Sequence, residues 1–263
     1  FLCWMIPRGL LLFGVQFIEV AAIFDLLFIL GLSYGVIAPI VTVRQWKQIG
    51  ILSKVILLAA GNICFYLDAF GIYQNGAFIS VYAGLFLIVS LILTIGGRVM
   101  PAFIRNSLEN QVEIRNPFWV AITSFVIFLV FTVNFLFIHH NVTTGVAAGL
   151  LFALTSYRLL CWYTPGIWSQ SLLWGLFISY IFIDIGFLLY TLYAVSLVSP
   201  FIAAHAFAYG GIGLATFCMM IRVTLGHTGR NVRTPPQGTG ILSAILTLGA
   251  AIRVLAPLIN TES

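Results

Sequence analysis

The sequence predicts an all-α fold, a polytopic transmembrane helical bundle of about eight full spanning helices plus a partial N-terminal one, each run near the ~20 residues that cross a bilayer. Three observations carry this. The 263 residues are 61% hydrophobic and 7% charged, against roughly 25% charged in soluble domains. Mean hydropathy is +1.10. The apolar residues fall in long uninterrupted runs rather than the short alternating segments of a β-barrel.

The elements follow in order. Residues 1–16 read as the tail of a helix, with Pro7 and Arg8 near its end. The next helices cover 18–42, which carries Glu19 and Asp25, and 50–72, which carries Asp68 and ends before "QNG" at 74–76. A helix over 76–96 follows, then the longest connection, 97–116. Helices over 117–138 and 142–161 flank "HHN" at 139–141. The helix over 170–196, with Asp184 near its middle, meets "SLVSP" at 196–200. The last two cover 200–224 and 239–258. The whole chain, 1–263, is expected to form a single transmembrane domain, with no soluble domain and no internal repeat.

The net charge is +5, and its distribution sets the topology. Arg44, Lys47 and Lys54, then Arg98, Arg105 and Arg115, then Arg158, then Arg222, Arg230 and Arg233 belong to alternate connections. The other connections and the tail "NTES" hold no Lys or Arg; of the 12 basic residues only Arg8 and Arg253 break the pattern. The positive-inside rule puts the basic set in the cytoplasm. The charge therefore points to the membrane and away from nucleic acid. The four cysteines (Cys3, Cys64, Cys161, Cys218) are scattered, with no CxxC, and read as small buried hydrophobes. The chain opens on "FLCWMIPRG" without the positive n-region and small-residue cleavage site of a signal peptide; an N-terminally incomplete sequence is the expectation.

Ionisable groups inside a membrane helix cost at least ~2.5–3.5 kcal/mol at its centre and are functional candidates by default. His205, in "PFIAAHAFAYGG", lies among alanines and glycines. Imidazole is a common haem and metal ligand, and small residues admit a flat macrocycle or another helix. A ligand reading and a helix-contact reading both stand. His139 and His140, on the same side, are candidate metal residues, against a reading as solvated interfacial histidines. Asp184 needs a partner, a proton or a wet cavity; Arg253 is a candidate partner. Asp25 is deeper than Glu19 and Asp68. Tyr157, Trp162, Tyr163 and Trp168 suit an interfacial aromatic belt, and Met219, Met220 and Cys218 suit core packing better than Cu(I) ligation. No phosphate loop, HExxH, CxxCH or GxSxG motif occurs.

Two stretches share a pattern: "GGRVMPAFIRN" at 96–106 and "MMIRVTLGHTGR" at 219–230. With "DLLF" at 25–28, "YRLLCW" at 157–162 and "HAFAYGGIG" at 205–213, they resemble the NnrS family in order and over nearly the whole chain. The resemblance implies a bacterial inner (cytoplasmic) membrane protein associated with haem, here haem b, and copper, and linked to nitric oxide and protection from nitrosative stress. The family's additional N-terminal helices, with a His-containing segment, have no counterpart here; the chain resembles the C-terminal part. His205 and His227 match family histidines and are the first candidates for haem or metal ligands. His205 is the better haem candidate, His227 the better structural one. Arg98, Arg222 and Arg230 are candidates for haem propionates or anionic lipid headgroups. The competing reading is a hydrogen-bonded latch, with Arg222 and Arg230 on helix-end carbonyls and Thr224 and Thr228 on backbone. The expected partners are the lipid bilayer and nitric oxide or a small related ligand, with a homo-oligomer or a respiratory partner left open. Alternatives are a transporter for a metal or metal-nitrosyl species, with Asp25, Asp184 and Arg253 along its path, and an oxidoreductase like the nitric oxide reductases, which four histidines on two membrane faces disfavour.

Overall fold

The computed structural model describes residues 1–45, 49–107 and 114–259. Lys47, the "NTES" tail and most of the loop after Ser107 lie outside the described residues. The helices are α1 (Leu2–Leu11), α2 (Ile18–Thr42), α3 (Ile49–Ala69), α4 (Gly76–Ser107), α5 (Phe118–Val133), α6 (Asn141–Trp162), α7 (Ser171–Ala194), α8 (Pro200–His205), α9 (Leu214–His227) and α10 (Gly238–Ile259). Single π-helical turns extend α5 over Asn134–Ile138 and join α8 to α9 over Ala206–Gly213. Among the described residues, eight helical segments are long and apolar enough to cross a membrane, and Leu2–Leu11 is a shorter apolar helix. The protein is a multi-pass helical membrane protein.

Two compact units divide the chain, Phe1–Leu87 and Ile88–Ser263. In the first, Arg8 pairs with the Asp25 carboxylate, whose other oxygen accepts a 2.7 Å bond from the Tyr66 hydroxyl. Arg8 also donates to the Trp4 carbonyl at 2.9 Å. The deep acid thus has both a cation and a hydroxyl, which is what burying a carboxylate demands. Asp68 accepts the backbone N–H of Ala77 at 2.8 Å, so this carboxylate caps the start of α4, where the helix dipole favours negative charge.

In the second unit α7 is the axis. It is apolar around its whole circumference, the signature of a buried helix, and 72% of its spanning window is buried, against 17% for α10. One end of the core packs Trp162, Leu173, Tyr180 and Leu214. Further along, Phe131, Phe187, Tyr190 and Phe207 form edge-to-face and tilted pairs with ring centroids 5.0–6.2 Å apart, arrangements the aromatic quadrupole favours.

The helix expected to end near residue 96 runs on to Ser107, through Gly96, Gly97 and Pro101. Proline lacks the N–H that would bond the carbonyl four residues back. At Gly97 that carbonyl instead accepts the Asn116 side-chain amide at 2.8 Å, a local repair that lets α4 continue past the proline.

Candidate functional site

The two arginine-bearing stretches meet at one end of the second unit. α9 stops in a Schellman motif: Gly229 has φ 68°, the Arg230 N–H donates to the Leu225 carbonyl at 2.9 Å, and the Gly229 N–H to the Gly226 carbonyl at 3.3 Å. The Thr228 hydroxyl reaches the Thr224 carbonyl at 2.8 Å and the Leu225 carbonyl at 3.2 Å. Arg222 lies over the ring of Phe103, 3.7 Å from its centroid, with a long 3.5 Å contact to the Ser107 hydroxyl. Arg233 donates to the Asn106 carbonyl at 2.7 Å, and Gln170 to the Ser107 carbonyl at 2.6 Å. These carbonyls have no intrahelical donor at a helix C-terminus. Arg233, read from the sequence as one of the basic set, and Gln170, which was not singled out, occupy the helix-end positions anticipated for Arg222 and Arg230. The side chains of Arg230 and His227 are exposed.

Beside this clamp, Arg158 of α6 is 5% exposed. Its Nη1 makes one long contact, 3.5 Å, to the Leu93 carbonyl. The guanidinium lies 5.7 Å from the Trp162 ring centroid. Its Nε has no hydrogen-bond partner. Among the described residues no carboxylate pairs with it. A Cβ on Gly97 would stand 3.2 Å from Nη1, so the glycine gives the guanidinium room against α4. Arg158 and the exposed Arg98 line one slot of about 300 Å³, together with Thr94, Asn116, Phe118 and Phe125.

His205 sits at the opposite end of the same unit. Its half-buried imidazole lines an open cleft of about 890 Å³, with Arg253, Tyr193, Ser196, Ser199 and Asn141. The small residues that follow His205 do not border this cleft. Gly210 faces Phe182, and Gly211 faces Ile183, so closely that a Cβ would overlap either; Gly186 of α7 receives Phe207 in the same way. That glycine face is filled by α7, which settles its use as helix contact. Arg222 and His227 are 17 and 22 residues further along the same helical segment, roughly 25 and 33 Å at 1.5 Å per residue. His205 therefore shares no site with His227, Arg222 or Arg230.

His140 and His139 build the turn between α5 and α6. His139 takes φ 58°, and its N–H donates to the Asn134 carbonyl at 2.7 Å. The His140 imidazole accepts the Thr143 N–H as an N-cap, and Asn134 Oδ1 accepts the His140 N–H at 3.0 Å. Among the described residues, no three His, Cys, Asp or Glu side chains group as a metal site, and the four cysteines are free. Asp184 accepts a 2.6 Å bond from the Ser156 hydroxyl, while its other oxygen has no partner; Arg253 belongs to the His205 cleft instead. Ser156, Gln170 and Asn116 are short polar residues that sequence reading passed over. Arg8 as partner of Asp25 was within reach, since Arg8 is one of the two cations off the basic face and Asp25 is a deep acid.

The whole chain, residues 1–263, matches a family model described as NnrS protein. No curated protein and no solved structure matches it.

Proposed function

The chain belongs to the NnrS family, and on that premise we propose that it is a haem- and copper-associated protein of the bacterial inner membrane, acting in the nitric oxide response and in protection from nitrosative stress. The basic loops then face the cytoplasm, and the His205 cleft opens on the other side.

The observation that carries the haem part is the pairing of an imidazole and a guanidinium in one cleft. His205 offers a nitrogen ligand of the kind haem iron takes. Arg253 offers a planar cation suited to a carboxylate such as a propionate. The cleft's volume falls within the about 300–1,000 Å³ of ligand pockets. Haem bound there supplies an iron that takes nitric oxide, a small molecule that partitions into lipid. The protein's own part is to hold His205 at the head of the π turn, fixed by the α7 contacts behind it, and to keep Arg253 within the same cleft. Copper has less support: the described residues offer no clustered donor set, so no residue is assigned to it. The transporter reading would need a wet cavity at the break between α8 and α9, and the α7 side chains against Gly210 and Gly211 close that space on one side.

The test is an absorption spectrum of the full-length protein in detergent, oxidised and dithionite-reduced, with metal analysis of the same sample. A Soret band that shifts on reduction and again with nitric oxide, and that is lost or displaced in His205→Ala but kept in His227→Ala, is the expected result. A featureless full-length protein overturns the haem reading and favours transport.

A further inference from the structure

We propose that the slot between α4, α5 and α6 is a binding site for an acidic phospholipid, with Arg158 and Arg98 on its phosphate and its acyl chain against α5. The inference is independent of the haem reading, since it concerns the other end of the unit.

Three observations converge. The first is the buried Arg158 guanidinium, held by one long backbone contact and lacking both a carboxylate and a partner for Nε among the described residues. A cation so placed in a membrane helix calls for a compensating anion. The second is the slot itself, which brings Arg98 to the same opening, so that two guanidiniums address one ligand; guanidinium forks suit phosphate oxygens. The third is the character of the remaining wall. Phe118, Ile122 and Phe125 line the slot and are at least half exposed, on a helix long and apolar enough to span the bilayer. A free phosphate would use the arginines and leave this wall unused. An amphiphile uses both. Basic pockets between membrane helices at a cationic face are recognised headgroup sites in general.

Thr94 donates to the Ser90 carbonyl, and the Asn116 amide is committed to Gly97. The Thr94 hydroxyl proton and one Asn116 amide proton are thus already used, and the two arginines supply the positive charge that recognises the phosphate. Gly97 has its own place here: it keeps the α4 backbone clear of the guanidinium, so the cation is accommodated and not expelled.

The test uses the full chain in detergent, delipidated, with phosphatidylglycerol, phosphatidylcholine and inorganic phosphate as probes, read by native mass spectrometry and thermal midpoint. Phosphatidylglycerol is expected to bind and to raise the midpoint, while the other two leave it unchanged. Arg98→Gln weakens phosphatidylglycerol binding about fivefold, the share of one basic residue near a membrane surface. Arg158→Gln removes binding but also touches the core, so Ala121→Trp provides the second variant: Ala121 is exposed and lines the slot, and the indole fills it from the lipid side. Undiminished phosphatidylglycerol binding in Ala121→Trp, an equal shift with phosphatidylcholine, or an equal shift with inorganic phosphate overturns the proposal.

Discussion

Arg222 stacks on Phe103 at 3.7 Å from the ring centroid, and this contact joins two stretches that are more than a hundred residues apart in the chain. It gives a structural role to the arginine of one stretch and the phenylalanine of the other. They are two halves of one clamp at the cationic end of the second unit.

The clamp predicts a coupled loss. Phe103→Leu should lower stability in detergent by about 0.5–2 kcal/mol beyond its lost area, the range for a cation over a ring. Arg222→Lys should lose part of the contact, because an ammonium keeps a charge near the ring but cannot stack on it as the planar guanidinium does. A double-mutant cycle of Phe103→Leu and Arg222→Gln is the measurement; strict additivity would mean that the stacking contributes nothing.

The end of α9 makes a prediction about two glycines. Gly229 sits at φ 68° with open space around it, so Gly229→Ala should cost about 1–2 kcal/mol from backbone strain alone. Gly226 lies in the helix, also with open space. Gly226→Ala should therefore be neutral or stabilise by up to about 1 kcal/mol. Denaturation midpoints of the two single variants check this, and equal effects would contradict the Schellman cap.

Gly96 is constrained for a different reason. A Cβ there would overlap the Tyr180 hydroxyl, which is buried and donates to the Ile92 carbonyl at 2.8 Å. Gly96→Ala should destabilise by about 1–3 kcal/mol through overpacking. The same substitution should cost less in a Tyr180→Phe background, where the nearest clashing atom is gone and the ring carbon at 2.6 Å remains. Comparing unfolding midpoints with and without Tyr180→Phe isolates the contact.

In the first unit, Arg8→Gln leaves the Asp25 carboxylate with Tyr66 as its remaining described partner. A loss of about 1–3 kcal/mol is expected, the cost of a buried polar group deprived of its partner. Adding Asp25→Asn should recover part of it, because the amide needs no cation. If the double variant is less stable than Arg8→Gln alone, the ion pair is not what Arg8 supplies.

Much of this fold was legible because bilayer physics writes long signals. The runs at 18–42, 117–138 and 239–258 match α2, the α5 segment and α10 to within a residue or so. The α4 boundary was not legible. Gly96, Gly97 and Pro101 normally mark a stop, and the donor that keeps the helix going, Asn116, is nineteen residues downstream. The site was less readable than the fold for a related reason. Histidines attract attention by type, yet His140 caps a helix and His139 forms a turn, while Arg158 is set apart by burial and by a missing acid. Those are facts about neighbours in space. His205 and Arg253 also meet only once α10 folds back beside α8, so the sequence placed Arg253 with Asp184 instead.

The π turn over Ala206–Gly213 acts as a phase shifter along the longest helical line of the second unit. Each residue of an α-helix advances the azimuth by about 100°, and a wider turn holds an extra residue without lengthening the path. The half carrying His205 and the half carrying Arg222 are thus indexed separately against α7. Deleting one residue between Ala206 and Gly213 would return the segment to ordinary α-helical pitch. Because the wide turn had absorbed that residue, the two halves would keep nearly their relative phase, whereas one further residue that the turn did not absorb would rotate one half by about 100° and part His205 from its cleft or Arg222 from Phe103. The protein is therefore expected to tolerate loss of one residue from this turn better than gain of another.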